Sequence, residues 1–127
     1  MTSTEQLQAQ CNRIANDIEN KLTYEQAELI HLAEDNGLEP TDPISAMDYL
    51  HDSLDIELTY SYSTKSYSGS SIAVSIGGPN IFIQTNASNY VTIIGRWGSD
   101  KYEVSATDNL GIDDYMNELY DMDKESK

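Results

Sequence analysis

The chain has 127 residues, enough for one domain with a hydrophobic core. It carries 22 acidic and 7 basic residues, and a net charge of -15 argues against direct binding to nucleic acid or to an anionic membrane. The single cysteine, Cys11, excludes an intrachain disulfide, and the chain has neither a membrane-spanning apolar run nor the features of a signal peptide, so we expect a cytoplasmic protein.

Helical periodicity dominates residues 1–55. Apolar residues recur there every three or four positions, which predicts a first amphipathic helix over residues 4–21: Leu7, Cys11, Ile14, Ile18 and Leu22. A capping box at Thr23 and a stop signal at Asn36 and Gly37 predict a second, short helix. A third helix is predicted from Pro43, behind the capping residue Asp42, to about Ser53.

The period changes to two at Ile56. From there to residue 107 the sequence contains five short runs rich in β-branched and aromatic residues, which are typical of strands. Polar or glycine-containing segments separate them at residues 65–70, 77–80, 86–89 and 98–100. Because every connection is short, we expect an antiparallel meander of about five strands.

A final amphipathic helix is predicted over residues 111–124. Its apolar face comprises Ile112, Tyr115, Met116, Leu119 and Met122. The chain is therefore expected to form a single α+β domain: three N-terminal helices over residues 1–55, an antiparallel sheet over 56–107 and this C-terminal helix.

Carboxylates form rows on two of these predicted helices. On the C-terminal helix the row consists of Asp114, Glu118, Asp121 and Glu125. On the third helix it consists of Asp48, Asp52 and Asp55. Like charges at this spacing repel by about 0.2–0.5 kcal/mol per pair, and they lie about 5–6 Å apart, a separation comparable with that of successive phosphates on a DNA strand.

These rows have two interpretations. Acidic helix faces are commonly just solvated surface that keeps a protein in solution. Here, however, the charge is segregated, because residues 58–99 contain no acidic residue and only two basic ones, Lys65 and Arg96. The high net charge and the shortage of compensating cations favour a binding role for both rows.

Other residue types give weaker signals. His31 and His51 are isolated, and no nucleophile, metal-ligand or phosphate-loop pattern accompanies them, so we expect neither enzyme activity nor a metal or cofactor. Tyr60 and Tyr62 are expected mainly to fill the core, whereas Tyr67, in a polar turn beside Lys65, is the better candidate for a partner contact. Trp97 is compatible with either role.

The run GGPNIFIQTN, followed by VTIIGRWGSDKYEV and an acid-rich terminal helix, resembles small acidic proteins of phages and other mobile elements. These proteins include anti-CRISPR and anti-restriction inhibitors. The resemblance implies a DNA-mimicking inhibitor in a bacterial cytoplasm, whose partner is a basic nucleic-acid-binding nuclease or CRISPR effector.

Two alternatives remain open. An immunity protein that neutralises a basic toxin nuclease would share the acidity but block one cognate enzyme. A structural or adaptor module of a phage particle or replication complex would instead bind through the tyrosine- and serine-rich strands, with its acids serving solubility.

Overall fold

A computed structural model describes residues 2–20, 45–51 and 53–125 of the chain. The first helix, α1, spans Ser3–Asn20 and the second, α2, spans Ala46–Tyr49. Five strands follow: β1 Asp55–Tyr60, β2 Tyr67–Ser75, β3 Asn80–Thr85, β4 Tyr90–Trp97 and β5 Asp100–Thr107. The closing helix, α3, spans Ile112–Glu125.

The long N-terminal helix agrees with the sequence prediction. Thr2 caps it, because its hydroxyl oxygen accepts a hydrogen bond from the Glu5 amide at 3.1 Å. The apolar stripe is buried along the whole helix, with Leu7, Cys11 and Ile18 fully inaccessible. Leu22, the last predicted member of the stripe, lies outside the described residues.

The sheet confirms the predicted meander. Its strand order is β1-β2-β3-β4-β5, and every neighbouring pair is antiparallel. The connections are short, so each strand pairs with the next one along the chain. Residues with positive φ reverse the chain direction between strands, among them Gly77 at 107°, Ala87 at 62° and Gly98 at 61°.

One face of the sheet carries the core. Alternate residues of the central strands point inward and are buried: Ile72, Ile81, Ile83, Val91 and Ile93. Helix α1 packs against β4 and β5, while α3 packs against β2. On the opposite face Phe82 and Ile94 are half-buried, and they are neighbours in the register of β3 and β4.

The predicted third helix differs most from the structure. Helix α2 contains only Ala46–Tyr49, and it begins after Ser45 because the Ser45 hydroxyl and the Asp48 carboxylate form a capping box there. The prediction that the helix continues to about Ser53 is wrong, since the helix stops at Tyr49 and β1 starts at Asp55. The second predicted helix, from Thr23 to Gly37, lies outside the described residues, as do Asp42 and Pro43.

The C-terminal helix confirms its prediction almost to the residue. Ile112 and Met116 are fully buried, and Tyr115 and Leu119 are half-buried against the core. Met122 was expected on the same face but is 64% exposed. It lies near the end of the helix, at the margin of the apolar stripe, where the core no longer covers it.

Candidate partner-binding surface

Two carboxylates fix the N-terminal end of α3. The Asp108 carboxylate accepts hydrogen bonds from the backbone N–H groups of Gly111 at 3.0 Å, Ile112 at 2.8 Å and Asp113 at 2.9 Å. The Asp113 carboxylate accepts from the Ala87 amide at 3.1 Å. Because the first turn of a helix leaves N–H groups without intrahelical partners, these contacts hold the helix at the end of the β3–β4 hairpin.

The acidic row on α3 consists of Asp114, Glu118 and Asp121, and all three side chains are exposed. Helical spacing places them on the side opposite the buried Ile112 and Met116. With a rise of about 1.5 Å per residue, the row extends roughly 10 Å along the helix axis. Glu125, the fourth predicted member, belongs to α3, but its side chain lies outside the described part.

These three carboxylates differ from those of Asp108, Asp113 and Glu103 in having no internal partner. Within residues 2–20, 45–51 and 53–125, none of the three has a hydrogen-bond or ion-pair partner. By contrast, Asp108 and Asp113 bind backbone amides, and Glu103 pairs with Lys101 at 3.0 Å. The uncompensated charge on α3 is therefore concentrated on one solvent-facing stripe.

The second predicted row does not exist as a row. Asp48 lies in α2, where its carboxylate accepts hydrogen bonds from the Ser45 amide and hydroxyl at 3.1 and 2.8 Å. Asp55 lies in β1, so the two residues do not share a helix face, and Asp52 lies outside the described residues. The error follows directly from the overestimated length of the third helix.

Strand β1 supplies a different pair of exposed acids. Asp55 and Glu57 alternate with the half-buried Ile56 and Leu58, which places both carboxylates on the sheet face away from the helices. Since β1 is an edge strand, charges there also discourage pairing with another chain. The alternation of acidic and apolar residues is visible in the sequence. The structure adds that Asp55 belongs to β1, whereas Asp48 belongs to α2.

Tyr67 is not an exposed turn residue. It is the first residue of β2, is only 9% exposed, and its hydroxyl donates to the Asp113 carboxylate at 2.6 Å. A further hydrogen bond joins the hydroxyl to Thr85 Oγ1 at 2.7 Å. Burial, followed by the hydrogen bond to Asp113, raises the pKa of Tyr67 to about 12. Tyr67 therefore links β2 to α3. Its side chain is too buried to make the predicted contact with a partner protein.

Two neighbouring tyrosines have the solvent exposure that was expected of Tyr67. Tyr60 and Tyr62 are 51% and 81% exposed, so the prediction that they fill the core is wrong. The Lys65 ammonium lies 3.8 Å from the centroid of the Tyr62 ring and 5.7 Å from that of Tyr60. Tyr120 of α3 stacks on Tyr60 at 6.3 Å between centroids. We call Tyr60, Tyr62, Lys65 and Tyr120 the tyrosine patch.

Sequence spacing could not reveal this patch, because Tyr120 is far from Tyr60 in the chain. The Tyr120 hydroxyl donates to the Lys65 carbonyl oxygen at 2.7 Å, which fastens the β1–β2 loop to α3. Helix α3 therefore carries the acidic row and also contributes Tyr120 to the tyrosine patch. Trp97, left undecided by the sequence, is half-buried against the core.

Residue types associated with catalysis or metal binding are dispersed in the part of the chain that the structure describes. In the described ranges, no three side chains of His, Cys, Asp or Glu are grouped so that they could hold a metal ion. His51 is exposed, and His31 lies outside those ranges. Burial raises the pKa of the Cys11 thiol, which disfavours the reactive thiolate. None of the helices in the described part is long and apolar enough to cross a membrane.

Comparisons with protein-family models, with curated proteins and with solved structures found no match to this chain.

Proposed function

We propose that this protein inhibits a host nucleic-acid-binding defence enzyme by presenting its acidic surface to the lysine- and arginine-rich site where that enzyme holds DNA or RNA. The observation that carries the proposal is the acidic row on α3. Its three carboxylates are exposed, aligned and without partners in the described structure, whereas neighbouring acids are engaged in internal hydrogen bonds.

Electrostatics supports such a role in two ways. A net charge of -15 creates a long-range field that accelerates encounter with a positively charged surface. At contact, arginine or lysine side chains can form charge-assisted hydrogen bonds with each carboxylate of the row. Binding to cations would also relieve the repulsion between adjacent rungs, which costs about 0.2–0.5 kcal/mol per pair in the free helix.

The finer form of the proposal is an anti-CRISPR protein acting in the cytoplasm of a bacterial host. Its support is the resemblance of the GGPNIFIQTN run, the VTIIGRWGSDKYEV run and the acid-rich helix to small acidic inhibitors of phages. In a Cas9-type effector, the arginines that read the PAM or the basic channel of the heteroduplex offer suitable cationic surfaces. This mode of action needs no cofactor and no catalytic residue.

The experiment that tests the proposal is a pull-down from a bacterial lysate with and without competing duplex DNA. We expect a nucleic-acid-binding protein to be captured, and an excess of DNA to displace it because both occupy the same basic site. Capture that is insensitive to DNA would refute the mimicry.

Once a partner has been identified, a pair of charge-matched variants locates the binding site on this protein. The row variant Asp114→Asn/Glu118→Gln/Asp121→Asn and the control Glu5→Gln/Asp55→Asn/Glu57→Gln each remove three exposed carboxylates. We expect the row variant to lose at least tenfold in affinity, which corresponds to about 1.4 kcal/mol, while the control loses much less. Equal losses would mean that only net charge matters, and unchanged binding by the row variant would exclude α3 from the interface.

One observation favours a second candidate function. The exposed rings of Tyr60 and Tyr62 match the chemistry of interfaces that bind through large, rigid aromatic side chains, as an adaptor module would. Binding by the tyrosine patch should persist at 0.5 M salt and be lost in Tyr60→Ala/Tyr62→Ala. A mimic of nucleic acid should instead weaken steeply with salt, because the screening length falls from about 8 Å at physiological ionic strength to about 3 Å at 1 M.

A further inference from the structure

A cavity of about 360 Å³ opens between α1, α2 and the inner face of the sheet. Its apolar wall is formed by Ile14 of α1, Leu50 at the end of α2, and Ile81 and Ile83 of β3, all at least 95% buried. The volume falls within the range of about 300–1,000 Å³ that is typical of sites for small molecules.

The mouth of the cavity carries a cation. Arg13 lines it from α1, with half of its side chain exposed, and Gln10 lies one turn earlier on the same helix face. Within the described residues the guanidinium pairs with Asp17, whose carboxylate oxygen lies 3.7 Å from one terminal nitrogen. Since a guanidinium has five N–H donors, most of them remain available to a ligand.

Asp17 does not line the cavity. It is 7% exposed, and the Tyr49 hydroxyl donates to its carboxylate at 3.0 Å. Desolvation by burial raises the pKa of Asp17, and the hydrogen bond from Tyr49 with the charge of Arg13 acts in the opposite direction. The contact between Asp17 and Tyr49 joins α1 to α2 beside the cavity, while half of the Arg13 side chain stays exposed.

We infer that this cavity is a binding site for a small amphipathic carboxylate, whose apolar body contacts the isoleucine wall and whose anionic group pairs with Arg13. The chemistry follows from the combination of an apolar wall and a single cationic side chain at the mouth. The described lining of the cavity contains no residue of α3, so the site is separate from the acidic row on which the proposed inhibitory function rests.

The test uses octanoate and its neutral counterpart 1-octanol with the full-length chain. In two-dimensional NMR titrations we expect octanoate to shift the signals of Ile14, Leu50 and Ile83 and to raise the thermal midpoint by mass action. The alcohol is expected to bind about tenfold more weakly, because it lacks the charge-assisted hydrogen bonds to the guanidinium.

Two pairs of variants assign the contacts. Arg13→Gln should reduce octanoate affinity to that of the alcohol, whereas Arg96→Gln, an exposed position on β4 facing away from the cavity, should leave it unchanged. Gln10→Trp should fill the cavity and abolish binding of both probes, whereas Gln8→Trp, exposed on α1 and absent from the cavity lining, should not.

The inference is overturned if octanoate leaves the lining residues unperturbed at millimolar concentration. It is also overturned if Arg13→Gln binds octanoate as tightly as the unmodified protein, or if 1-octanol binds as tightly as octanoate. Circular dichroism of each variant ensures that a loss of binding is not a loss of folding.

Discussion

Replacing Asp108 with alanine should cost this protein more stability than removing any carboxylate of the acidic row. The Asp108 side chain is half-buried and accepts hydrogen bonds from three consecutive backbone N–H groups, those of Gly111, Ile112 and Asp113, at 2.8–3.0 Å. Alanine would leave all three donors at the start of α3 to water, and it would remove a negative charge from the positive end of the helix dipole.

The expected magnitude follows from these contacts. Loss of a capping side chain costs about 0.5–2 kcal/mol, and an anion at a helix N-terminus contributes a further 0.3–1 kcal/mol or so. Because three donors are affected and solvent reaches the half-buried site, we expect the free energy of unfolding to fall by about 2 kcal/mol. For a domain of this size that corresponds to a decrease of roughly 6–10 °C in Tm.

Thermal unfolding followed by circular dichroism measures the effect, and Glu118→Ala is the matched control. It also removes one negative charge, in this case from α3 itself, but Glu118 is exposed and has no partner in the described structure. We expect this control to lie within about 0.5 kcal/mol of the unmodified protein. A change in Tm of less than about 2 °C for Asp108→Ala, or an equal loss of stability in both variants, would show that the Asp108 carboxylate does not stabilise the start of α3.

Two further predictions concern packing and pH. Gly95→Ala would place its Cβ 2.6 Å from Cys11 Sγ and 2.7 Å from Leu7 Cδ1, so we expect urea denaturation to show a loss of about 1–3 kcal/mol from overpacking between β4 and α1; full stability would contradict the close approach. The pKa of Tyr67 is raised from 10.0 to about 12 by burial and by its hydrogen bond to Asp113, so its contribution to stability should be complete below pH 10 and be lost as the pH rises through 12. Denaturation midpoints between pH 9 and 12 should therefore fall less steeply in Tyr67→Phe, and identical slopes would argue against this contribution.

The acidic row shows how far local pattern can lead toward a binding surface. Its helical spacing and its position opposite an apolar stripe were sufficient to predict that Asp114, Glu118 and Asp121 share one face of a helix. The second row failed because it depended on the length of a helix. Ser45 and Asp48 cap α2 locally, but the point at which the chain leaves the helix to join the sheet as β1 depends on pairing with β2.

The tyrosines illustrate the same division. In the sequence, Tyr67 stands in a polar run beside Lys65, which is typical of a turn. In the structure it opens β2 and binds Asp113, while Tyr62 is the exposed ring of the loop. Nothing in the spacing of tyrosine and serine distinguishes these positions, because the partners that bury Tyr67 belong to β3 and α3.

The sequence by itself determined the long first helix, the five antiparallel strands and the C-terminal helix with its acidic face, since burial on one side of an element leaves a period that can be read directly. Only the tertiary structure decided which carboxylates accept internal hydrogen bonds and which tyrosines are exposed. It also decided that Arg13 lines an apolar cavity. Those properties depend on contacts between residues distant in the chain, and a local pattern carries no information about such partners.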